Sequence, residues 1–164
     1  MEQPEHNKMI NGQAEGRISK LRYGLFPMSF NGCEVIAVHN ALCFLRKPRE
    51  ITEIARFMER YSVLLGLFGC NVYRVGKVLE RFGVSSEKVK SIDDEGSYIL
   101  SYWTGRRLFS SIHTVFCTCE KGRLTVYNRS NHRCTPAEYG SPEETFGKYE
   151  PIVVYRIKNE EEER

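Results

Sequence analysis

The hydrophobic period of this chain changes once, near residue 84, and that change restricts the fold more than any other feature. Upstream of it, apolar residues recur at helical spacing in three blocks. The first follows Cys33 with Val35, Ile36, Val38, Ala41, Leu42, Phe44 and Leu45. The second contains Ile54, Phe57, Met58 and Tyr61, and the third Val72, Val75, Val78, Leu79 and Phe82. Downstream the period is two, in short runs over 86–91, 97–103, 112–119, 123–128 and 151–157. Helices first and a strand meander second imply an α+β domain, an N-terminal helical half packed on a C-terminal antiparallel β-sheet, rather than a doubly wound parallel sheet.

Local signals set the expected boundaries. A helix over 33–46 is apolar around most of its circumference, which predicts a central, buried position, and Lys47-Pro48 stops it. A second helix is predicted over 52–65 with Thr52 as cap. A third runs over 71–82, between Asn71 as cap and Gly83 as stop. Glu120-Lys121-Gly122 joins two strands as a hairpin turn.

A length of 164 residues suits one domain. Residues 1–20 are polar and aperiodic and read as a flexible arm, 21–158 as the domain, and 159–164 as an acidic tail. Met1 to Lys20 has no apolar signal core, and the apolar run Val63 to Phe68 is far below the roughly 20 residues that span a bilayer. A cytoplasmic protein with no membrane partner is therefore expected. The six cysteines (33, 43, 70, 117, 119 and 134) are irregularly spaced and read as reduced thiols. A net charge of +3 with dispersed Lys and Arg gives little attraction for phosphate, which argues against nucleic acid.

Three residues carry a chemical pattern. Cys33 follows Gly32 at a predicted helix N-terminus, where partial positive charge favours a thiolate and a tight turn lifts the sulfur toward solvent. His113 opens one strand of the predicted hairpin and Asn128 closes the other, eight and seven residues from Lys121. An antiparallel register brings them together at the open end of the ladder. An Asn carboxamide there accepts the imidazole N–H and leaves the other ring nitrogen for the sulfur, a nucleophile–base–orienter set.

The remaining polar residues have structural readings. Asn40 lies on the face of Cys33 as a buried hydrogen-bonding amide, His39 is a packing or surface residue, and Glu34 is a favourable first-turn carboxylate. Cys117 and Cys119 share a face with His113, but alternation along a strand is not zinc-knuckle spacing, so neither metal nor cofactor is expected.

This arrangement resembles the papain-like cysteine peptidases over roughly residues 22–157, and most closely the small bacterial branch that includes bacteriocin-leader peptidase domains. It consists of a helix led by Cys, two further helices, then a sheet with His opening one strand and Asn closing the next. The resemblance implies a papain-like fold with Cys33 as nucleophile, His113 as base and Asn128 as the orienting residue. The substrate it implies is a peptide or amide. The family's glutamine a few residues before the cysteine is absent from Phe26-Pro27-Met28-Ser29-Phe30, and Gln13 lies much too far upstream to match it. Asn31 is then the nearest amide donor for an oxyanion. The same scaffold with a silent site implies a peptide- or protein-binding module, and the same triad with another acceptor a thiol acyltransferase.

Overall fold

The computed structural model describes residues 8–93, 95–104, 111–146 and 151–158. Two short strands, β1 (Arg22–Tyr23) and β2 (Phe26–Pro27), form a small hairpin that leads into α1 (Met28–Asn31) and α2 (Cys33–Phe44). Two more helices follow, α3 (Ile51–Met58) and α4 (Val75–Arg81). Strands β3 (Ser86–Val89), β4 (Gly96–Thr104), β5 (Ser111–Glu120), β6 (Arg123–Tyr127) and β7 (Ala137–Tyr139) come next. Helix α5 (Pro142–Phe146) and β8 (Pro151–Ile157) close the described chain.

Helix α2 is apolar on every side and is buried on every side, from Cys33 to Leu42. A helix of that kind needs partners all round. The sheet, chiefly β5, supplies one, and α3 and α4 supply the others. Its C-terminus is closed by Arg46 in a left-handed conformation, with Lys47 N–H bonded to Leu42 C=O at 2.9 Å.

Helix α3 is shorter than its apolar spacing predicts. After Met58 the chain makes a 3-10 turn over Glu59–Tyr61 and then a loop in which Leu64 and Leu65 both have positive φ. Tertiary hydrogen bonds override the helical pattern here. Leu25 N–H reaches Leu65 C=O, Val63 N–H reaches Gly69 C=O at 3.0 Å, and Asn31 Nδ2 donates to Gly66 C=O. The third predicted helix begins as a 3-10 turn, Val72–Arg74, capped by Asn71 Oδ1 on Tyr73 N–H at 3.0 Å.

The six-stranded sheet is antiparallel throughout, in the order β3-β8-β4-β5-β6-β7. It is not the simple meander expected, because β8 returns to lie between β3 and β4. Alternation along the strands gives the sheet two apolar faces. Ile99, Phe116 and Tyr155 pack against the helices. Leu100, Tyr102, Val115, Cys117 and Val154 build a second layer on the opposite face, with Ile92, Leu124 and Val126. The β5–β6 turn places Lys121 and Gly122 at positive φ, the backbone that a two-residue hairpin requires.

The described part of the predicted arm, residues 8–20, lies against this body rather than apart from it. Asn40 Oδ1 accepts from Ile10 N–H at 2.7 Å, and Asn40 Nδ2 donates to Ile10 C=O at 2.9 Å. His39 is buried and contacts Lys8 C=O and Cys43 Sγ. Polar composition suggested a free segment, whereas buried amides on α2 and the sheet bind its main chain. Residues 1–7 and the acidic tail lie outside the described residues.

Candidate active site

Cys33 is the first residue of α2, and the break that isolates it from α1 depends on Gly32. A Cβ at that position would run into the side chain and carbonyl of Met28. The sulfur is not lifted toward solvent as the turn suggested: Cys33 is only 6 % exposed. The start of α2 sits beneath β5, where Thr114 offers a main-chain N–H to the sulfur and favours its thiolate. Burial acts against that N–H, and so does the adjoining Glu34 carboxylate, and together they push the thiol well above its ordinary range. The thiol donates to Glu34 Oε2 at 3.4 Å.

His113 lies one residue before Thr114, but strand alternation turns its side chain to the face of the sheet opposite Cys33 and the helices, so the imidazole does not reach the sulfur as the resemblance implied. Its side chain follows the alternation of Val115 and Cys117, and its ring stands edge-on to Tyr102 with centroids 5.9 Å apart. Nε2 donates to the main-chain oxygen of Asn128 at 2.8 Å. A carbonyl acceptor fixes the neutral tautomer, so Nδ1 is the ring nitrogen left to accept a proton. Burial lowers the imidazole pKa and the nearby Arg129 guanidinium adds to the lowering, against the hydrogen bond to Asn128. No hydrogen bond joins His113 to Cys33.

Asn128 therefore tethers the imidazole, but with its backbone and not its carboxamide. The residue leaves the strand at φ +55° and is almost fully buried. Its side chain turns to Gln13, where Oδ1 accepts from Gln13 N–H at 3.1 Å and Nδ2 donates to Gln13 Oε1 at 3.0 Å. Its own N–H bonds Asn11 Oδ1 at 2.8 Å. The amide of Gln13 also donates to Ser29 C=O at 3.2 Å, on the turn that leads into Cys33. Distance along the chain hid this connection, and the only sequence signal was an amide-bearing segment in an otherwise plain polar stretch.

Asn31 is buried two residues before Cys33, but both Nδ2 protons are committed, one to Tyr23 C=O at 3.1 Å and one to Gly66 C=O. In this arrangement the amide presents no N–H to a substrate, and its Oδ1 is buried without a partner. Asn31 ties the 63–69 loop to β1, and so fixes the apolar rim beside the start of α2. Leu25, Phe30, Leu64, Leu65 and Phe68 of that rim are exposed. Cys117 and Cys119 are buried in the second apolar layer, and no cluster of metal-ligating side chains occurs among the described residues.

No protein-family model and no curated protein matches the sequence. Among solved structures the chain is similar to a double glycine motif protease from an AMS/PCAT transporter, in complex with the leader peptide. The TM-score is 0.55 and the identity 14%, over 77% of this chain and 84% of that one. The α+β architecture, with helices on a six-stranded antiparallel sheet, is thus a papain-like fold. No helix among the described residues is long and apolar enough to cross a membrane.

Proposed function

We propose that the protein is a papain-like thiol hydrolase of peptide or amide bonds, with Cys33 as nucleophile. One observation carries this reading. Cys33 opens the central helix of a fold shared with a double glycine motif protease, and the Thr114 main-chain N–H is directed at its sulfur. That N–H favours the thiolate, the form of the sulfur that attacks a carbonyl. Main-chain N–H groups at the start of α2, which have no intrahelical acceptor, serve the developing oxyanion in place of Asn31.

The exposed apolar rim made by Leu25, Phe30, Leu64, Leu65 and Phe68 flanks the start of α2 and suits apolar side chains of an extended peptide. The similar double glycine motif protease was solved with a leader peptide, which supports a peptide as the substrate class. A second reading, a silent papain-like module that binds peptide without cleaving it, is favoured by the burial of Cys33 and its neutral thiol.

An activated ester separates the two. Mixed with p-nitrophenyl acetate, the hydrolase releases one equivalent of nitrophenolate in a burst. The burst disappears in Cys33→Ala and persists in His113→Ala, whose ring faces away from the sulfur. A burst unchanged in Cys33→Ala refutes the hydrolase, and no burst in the native chain supports the silent module.

A further inference from the structure

The mechanism above leaves one ionisable group beside the sulfur without a task. Glu34 is 2 % exposed, and its Oε2 is the acceptor of the Cys33 thiol. The groups around it are the Cys33 thiol on α2, the Cys70 thiol and main-chain N–H in the following loop, and the Tyr23 phenol on β1, with Glu59 beyond Tyr23. No cation is paired with it among the described residues. Gly69 closes over the carboxylate so tightly that a Cβ there would come within 2.8 Å of Oε2. Burying a carboxylate in such a place favours its neutral form, and burial lifts this one from 4.5 to about 7.

The resting site is also neutral on both sides of the expected pair. Burial raises the Cys33 thiol and lowers the His113 imidazole, so no thiolate–imidazolium pair waits for substrate. The proton must then leave sulfur while the sulfur–carbon bond forms, and it must go to a group already in contact. His113 makes no hydrogen bond to the sulfur; Glu34 does.

We infer that Glu34 is the base that takes the Cys33 proton, and so is a catalytic residue of this site. The inference rests on Cys33 being the nucleophile. As sulfur bonds to the carbonyl carbon, the thiol proton moves to Oε2 and the carbonyl π pair moves to oxygen. When that pair returns, the bond to the leaving group breaks, and the leaving group takes the proton from the Glu34 carboxylic acid. Water then adds its hydroxyl to the thioester carbon as Glu34 takes its proton; the carbon–sulfur bond breaks, the acid product leaves, and the Glu34 proton passes back to sulfur. Proton affinity near neutrality suits a group that must both take and give a proton at that pH.

The test uses the full chain, single-turnover acylation by p-nitrophenyl acetate between about pH 5.5 and 9, and iodoacetamide alkylation of Cys33 as a control. Native protein should acylate with a midpoint near the Glu34 value of about 7. Glu34→Gln should be slower by about tenfold or more at pH 7.5, without that midpoint, while its Cys33 alkylates as fast or faster, because alkylation needs only the thiolate. Glu34→Asp should keep the midpoint at a reduced rate. Glu34→Gln with the native rate and midpoint overturns the inference. So does faster reaction with both reagents, or slower reaction with both. If Glu34→Gln does not fold, His113→Ala decides: a midpoint lost in that variant gives the base role to His113 and overturns the inference, whereas a midpoint that survives there supports it. Absence of Cys33-dependent acylation in the native chain defeats the hydrolase reading itself. Normal acylation with an unaltered Glu34→Gln defeats only the role of Glu34.

Discussion

His113 Nε2 is bonded to the main-chain oxygen of Asn128 at 2.8 Å, while the Asn128 carboxamide is bonded to Gln13. One residue thus performs two tasks with different atoms: its backbone orients the imidazole, and its side chain holds the N-terminal segment against the hairpin.

The two tasks separate in Asn128→Gly, since glycine accepts φ +55° and keeps the carbonyl. Loss of the carboxamide should cost about 1–3 kcal/mol in urea unfolding, through the unpaired Gln13 groups, and change the nitrophenyl acetate burst rate by less than about threefold. A rate loss of about tenfold or more would show that the carboxamide acts on the site and not only on packing.

Asn40 offers a test of the N-terminal packing that does not touch the site. Its side chain satisfies both the N–H and the C=O of Ile10 from a fully buried position. Asn40→Ala should lower unfolding free energy by about 1–3 kcal/mol, because it leaves two main-chain groups without partners. An unchanged denaturant midpoint would mean that water replaces the amide and that residues 8–20 add little to stability.

Glu34 makes stability depend on pH with a definite sign. Its folded pKa of about 7 lies above its ordinary 4.5, so between these values the folded state binds more protons than the unfolded state. The stabilisation is fully present below about pH 4.5 and is lost as pH rises through about 7. A separation of about 2.5 units corresponds to about 3 kcal/mol. Unfolding free energies of native protein and Glu34→Gln, measured from pH 5 to 8, should diverge with rising pH as the native protein loses stability relative to the variant. Parallel curves would place the carboxylate in a better-solvated setting than the structure gives it.

Two glycines isolate the steric part of that enclosure. Gly83 has φ +73° with open space where a Cβ would go, and Gly69 has φ +66° with the Glu34 carboxylate there. Gly83→Ala should cost about 1–2 kcal/mol for backbone strain alone, and Gly69→Ala clearly more. Equal losses in thermal unfolding would show that the loop yields freely and does not clamp Glu34.

The residues that read clearly in the sequence are those whose environment is local. Helix α2 was legible because Val35, Ile36, Val38, Ala41 and Leu42 leave it no polar face, and β5 and β6 because their alternation meets at a Lys121-Gly122 turn. The place of β8 inside the sheet was not legible, since alternation in Ile152 to Tyr155 says nothing about neighbours. The proximity of His113 and Asn128 followed from counting along a hairpin. Which atoms meet did not follow, because the left-handed backbone at Asn128 turns its carboxamide away from the ring. Glu34 was read as a helix-start charge because adjacent residues on a helix normally face apart. The closure of Gly69 over its carboxylate comes from a loop that no periodicity announces. Asn31 was read as an available donor because its two carbonyl acceptors, on Tyr23 and Gly66, come from separate parts of the chain.

Hydrolysis at this site requires the Cys33 sulfur to accept the acyl group, and site-resolved mass spectrometry of the acetylated protein measures that directly. After brief exposure to p-nitrophenyl acetate at neutral pH, the acetyl group should reside on Cys33 as a hydroxylamine-labile thioester, with the other five cysteines unmodified. Acetyl found instead on the exposed Cys134 or on surface lysines, with Cys33 unmodified, would contradict it.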